Sequence, residues 1–117
     1  MQELVTYMGN VELRANNKGD LKMDFDKIVE RKLSLAEEGA DLPIQLSIEI
    51  GRPRWVEIDT EAACPVIVRG LMDAEINIYG SDLLNALECA LSFVKAELSN
   101  LPSTKKVIWP DGESYLD

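Results

Sequence analysis

The chain has 117 residues, 46% hydrophobic and 28% charged, which suits one globular domain with its own core and is too apolar for disorder. Its 21 acidic residues face 12 basic ones, a formal net charge of -9, and such a field repels nucleic acid and anionic membranes while attracting basic partners. Histidine is absent, which removes the commonest general acid/base and zinc ligand and every histidine-based triad.

The predicted architecture is α+β: an antiparallel meander sheet of about four to six strands packed on one long C-terminal helix. A single domain is expected over 1–117, divided into an N-terminal extension at 1–26, a β-meander at 27–80, a helix at 81–101 and a tail at 102–117. Within the extension, Leu4 to Met8 and Val11 to Ala15 read as short strands. Asn16 to Asp20 is a turn cluster, and Leu21, Met23 and Phe25 alternate with polar residues as a third strand would. The same stretch reads equally as a loosely attached arm. Met1-Gln2-Glu3 opens no signal peptide, and no apolar run approaches the ~20 residues of a membrane span, so a cytoplasmic location is expected.

From residue 27 the alternation sharpens. Val29, Arg31, Leu33 and Leu35 predict a strand over 27–36. Ile44, Leu46, Ile48 and Ile50 alternate strictly with polar residues, as a strand with one apolar and one wet face does. Pro53 breaks that strand because it cannot donate to a ladder. Trp55 to Asp59 is a further strand candidate. Cys64 to Arg69 reads as a strand buried on much of both faces, Gly70 to Asp73 as a hairpin connection, and Ala74 to Tyr79 as the return.

The helix then begins behind Ser81 as predicted N-cap, with Asp82 in its first turn where the dipole favours an anion. Leu84, Leu87, Leu91, Val94, Leu98 and Leu101 keep helical spacing, widened by Leu83 and Ala90, and predict the buried stripe. Pro102 prevents continuation. Lys105 to Trp109 followed by Pro110-Asp111-Gly112 reads as a short strand and a tight turn.

The stretches ERKLSL at 30–35, IEIGRP at 48–53, ACPVIVRGL at 63–71 and INIYGSDLLNALECALSFVKAEL at 76–98 carry a resemblance. The segment from Lys27 to Asn100 resembles a small uncharacterised bacterial domain family with a Cys-Pro strand, a Gly-rich hairpin, a Tyr-Gly-x-Asp turn and an Ala/Leu-rich C-terminal helix. The resemblance implies the order of strands and helix and transfers no functional residue. In general type, as a small acidic single domain, the chain is also similar to immunity proteins of bacterial toxin systems.

Trp55, Glu57, Asp59 and Glu61 lie two apart, so an extended backbone would project all four from one face. Three carboxylates in a row repel one another. They read either as a ladder for the Lys and Arg groups of a partner, with Trp55 as anchor, or as an exposed face kept soluble. Arg52-Pro53-Arg54-Trp55 is too small a basic patch for nucleic acid, and its arginines are expected to pair with nearby acids or to grip an acidic spot on a partner. Cys64 and Cys89 form no CxxC and read as reduced core residues. No buried acid, calcium-type loop or phosphate loop is marked, so neither cofactor nor metal is expected and the chain is not read as an enzyme.

The expected function is therefore protein binding. The leading reading is an immunity-type inhibitor that neutralises a basic toxin domain such as a nuclease, using Arg54, Trp55, Glu57, Asp59 and Glu61. A second reading is a structural or regulatory subunit that forms a homodimer or docks through a sheet edge. A third is an enzyme working with carboxylates alone.

Overall fold

The computed structural model describes residues 25–116 and the backbone of 6–8 and 11–13; the predicted strand at 21–26 and the turn at 16–20 lie largely outside these residues. The strands are β1 (Thr6–Met8), β2 (Val11–Leu13), β3 (Lys27–Glu37), β4 (Ile44–Gly51), β5 (Arg54–Glu57), β6 (Glu61–Arg69), β7 (Ile76–Gly80) and β8 (Lys105–Ile108), with the helix α1 (Leu83–Ser99) between the last two. Every ladder is antiparallel, and the sheet runs β1-β2-β7-β6-β4-β3-β8, with β5 also on β6.

The predicted meander is the centre of this sheet, since β3, β4, β6 and β7 are neighbours in chain order. β4 and β5 lie end to end on one edge of β6, with Ile50 opposite Val66 and Arg54 opposite Ala63. They are one strand path interrupted near Pro53, whose missing N–H ends the ladder. After the helix the chain returns as β8 to pair with β3 at the far side. That crossing of four strand spacings is roughly 19 Å, within the ~25 Å reach of a 17-residue helix.

The alternation of β3 and β4 places Leu33, Leu35, Leu46, Ile48 and Ile50 in the core, where they meet Cys64, Val66 and Val68 of β6 and Ile76 and Ile78 of β7. β6 is buried from Ala62 to Val68, as its unbroken apolar run implies for a central strand. Gly70 turns the chain at φ +103° where a Cβ would strike Leu46 and Gln45, so only glycine fits.

The helix cap differs from expectation, and the helix face does so in part: Ala90, Val94 and Leu98 are buried as predicted, with Leu87 and Leu101 partly so. Asp82, not Ser81, is the N-cap: its Oδ1 accepts from the Asn85 N–H at 2.7 Å, while Asn85 Oδ1 accepts from the Ser81 N–H at 2.9 Å. The carboxylate lies one residue nearer the helix start and satisfies the free amide there. The buried face is Ala86, Ala90, Val94 and Leu98, whereas Leu84 and Leu91 are 64% and 52% exposed. Gly80 explains the rotation. It lies against the first turn, where an added Cβ would come within 2.7 Å of Ala86 Cα and Asn85 Oδ1. The helix start sits almost on the strand backbone, and alanine is the side chain that such a gap admits.

No helix among the described residues is long and apolar enough to cross a membrane.

Candidate functional site

The segment 55–61 is a hairpin and not one extended strand. Glu57 C=O accepts from the Thr60 N–H at 2.9 Å, and Asp59 at the tip has φ +63°. Aspartate tolerates that left-handed conformation because its short polar side chain bonds locally. β5 also bulges before the turn: Trp55 stands opposite Ala62, but Glu57 stands opposite Glu61.

Those two registers separate the predicted residues. Ala62 and Glu61 are adjacent on β6 and face opposite sides. Trp55 therefore shares the helix side of the sheet and packs half-buried against the core. Glu57 and Glu61 share the other side, and the expectation of one common face for Trp55, Glu57, Asp59 and Glu61 is corrected by the bulge. Arg54 is half-buried opposite Ala63 and is engaged within the fold. Arg52 instead pairs with Asp26, Nε to Oδ2 at 2.7 Å.

What the hairpin brings together is acidic and apolar at once. Glu57 and Glu61 are direct cross-strand neighbours, and Asp59 is at the tip between them. Beside them Val56 and Ile58 are 53% and 72% exposed. The alternation of 55–59 predicts Val56, Ile58 and Ala62 together on one face, but only Ala62 is buried, because the bulge and turn part the other two from it. None of the three carboxylate side chains forms an ion pair or hydrogen bond with a described residue.

The sheet contains a second cross-strand glutamate pair, and its surroundings are different. Glu30 of β3 stands opposite Glu49 of β4. Glu30 accepts from Lys27 Nζ at 2.6 Å and has Lys32 Nζ at 3.8 Å. The Lys27 hydrogen bond holds the Glu30 carboxyl below the usual range and lifts the Lys27 ammonium above its own. Glu49, 8% exposed, accepts from Arg69 Nε and Ser47 Oγ, each at 3.1 Å. Like charges opposite each other destabilise a ladder, and here three cations offset that cost. Among the described residues no cation pairs with Glu57 or Glu61 in this way.

Cys64 is fully buried, and burial pushes its thiol up to about 11. Among the described residues no three cysteine, aspartate or glutamate side chains gather as a metal ion requires. Set against protein-family models, curated proteins and solved structures, the chain matches none.

Proposed function

We propose that this protein is a non-catalytic binding module that holds a basic protein partner with the tip of the β5–β6 hairpin. More specifically, we read it as an immunity-type inhibitor of a cationic toxin domain, such as a nuclease. The observation that carries this reading is the Glu57–Glu61 pair, without a cation partner among the described residues and with Asp59 at the turn, in a fold that neutralises its other glutamate pair. Lysine or arginine groups of a partner would supply the missing countercharge. The exposed Val56 and Ile58 would give the contact a dry centre, which slows release, while the net charge of -9 speeds encounter.

The edge-docking reading would rest on the N-terminal strands, at the opposite end of the sheet from β8. Residues 113–115 fold back along β8, with the Trp109 N–H donating to Glu113 O and the Tyr115 N–H to Val107 O, so that edge is already paired.

The test compares the full chain with a variant carrying Glu57→Gln, Asp59→Asn and Glu61→Gln. The parent is expected to retain a basic protein from its own cell lysate at low salt and the variant to lose it. The association rate of the purified pair should fall as salt rises. Equal capture by both proteins, or an association rate indifferent to salt, would sink the reading.

A further inference from the structure

A groove of about 680 Å³ opens between the helix, β3, β4 and the C-terminal segment, away from the hairpin. It lies beside the contact of α1 with β6 and β7, where Val29 at the start of β3 is left exposed. Its accessible apolar surface comes from Val29 of β3, Leu91 of α1 and Leu116, each about half exposed, over a floor of Ile48, Ile50, Val94 and Leu98 that is almost fully buried. A volume of this size is that of a small-molecule site.

Two cations line this space, Arg31 of β3 and Lys95 of α1, together with Glu30, whose carboxylate is paired with Lys27 and Lys32. In a chain of net charge -9 both stand without a carboxylate partner among the described residues. Arg31 opposes Ile48 across the ladder, so it rises on the core side of the sheet. It is held in place: Nη1 donates to the Tyr115 hydroxyl at 2.9 Å, and the guanidinium lies 5.3 Å from the Trp109 ring centroid and 5.8 Å from that of Tyr115. The two rings brace each other edge to face at 5.1 Å. One hydrogen bond to a neutral hydroxyl leaves most of the five guanidinium donors unused, and aromatic stacking fixes their direction before any ligand arrives.

We propose that this groove binds a small amphipathic monocarboxylate, an acyl-chain acid whose carboxylate meets Arg31 and Lys95 and whose chain lies against Val29, Leu91 and Leu116. A cation alone would take any anion, and an apolar groove alone any hydrocarbon. Their juxtaposition selects a molecule that is both.

Calorimetric titration of the full chain with octanoate, decanoate and dodecanoate, all below micelle formation, tests this. Saturable one-to-one binding is expected, about fourfold tighter for each added methylene. Decanol and decyltrimethylammonium should bind at least tenfold more weakly than decanoate. Arg31→Gln should weaken decanoate about tenfold or more and leave decanol unchanged. Should that variant fail to fold, Lys95→Gln on the exposed helix side and the headgroup series on the parent decide. Three results overturn the proposal: no saturation, equal affinity for decanol and decanoate, or binding to phosphatidylglycerol vesicles with none to free decanoate. The last would assign the groove to a membrane surface.

Discussion

Glu57 and Glu61 face each other across the β5–β6 ladder, whereas Glu30 and Glu49, equally opposed, are bridged by Lys27, Lys32 and Arg69. The same chemical conflict is resolved inside the molecule in one place and left exposed in the other. Under the proposed function, the cations of a partner would remove that repulsion on docking.

Neutralising one member of the bare pair should therefore separate stability from binding. Glu61→Gln is expected to raise unfolding stability by roughly 0.2–1 kcal/mol while weakening capture of a basic partner. Urea denaturation at low salt measures the first effect, and the gain should shrink as salt screens the repulsion.

The helix cap gives a contrast between adjacent residues. Asp82→Ala removes the acceptor for the Asn85 amide and should cost about 1 kcal/mol. Ser81→Ala should cost little, because Ser81 contributes chiefly its backbone N–H to Asn85. The two urea midpoints, measured side by side, check this; equal losses would return the cap to Ser81.

Gly80→Ala should be among the most damaging conservative changes. The new methyl would press on the Ala86 backbone, which cannot rotate away as a side chain can. An overpacking loss of about 1–3 kcal/mol is expected, with a lower thermal midpoint and a helix lifted from β7. Gly39, whose added Cβ would meet nothing, is unsuitable as a neutral control because its φ of +89° strains any side chain.

The two thiols should react at different rates. Cys64 is sealed in the core with its thiol pushed up to about 11, while Cys89 is only half-buried. Mild alkylation at neutral pH should label Cys89 first and reach Cys64 only on unfolding. Because the folded thiol holds its proton more tightly than the unfolded one, stability should fall as pH rises from roughly 8.5 toward 11, by up to about 1.4 kcal/mol per unit. Cys64→Ala should flatten that alkaline slope.

Local pattern alone determined much of this protein. Alternation at Leu33 and Leu35 and at Leu46, Ile48 and Ile50 placed β3 and β4, and the apolar run 64–68 placed a strand buried on both sides. Spacing and Pro102 placed the helix to within a few residues. These signals suffice because a two-residue or 3.6-residue period is a property of neighbouring positions. The tertiary structure decided the rest. It turned the helix onto Ala86 and left Leu84 and Leu91 exposed, because the distance between two backbones, which no one-dimensional pattern encodes, decides which side chains fit between them. For the same reason the bulge that parts Trp55 from Glu57, the pairing of β8 with β3, and the setting of Arg31 against Trp109 and Tyr115 were invisible in order of residues. Each joins positions whose relation is fixed only when the sheet closes its ladders and the helix finds the approach that its smallest residues permit.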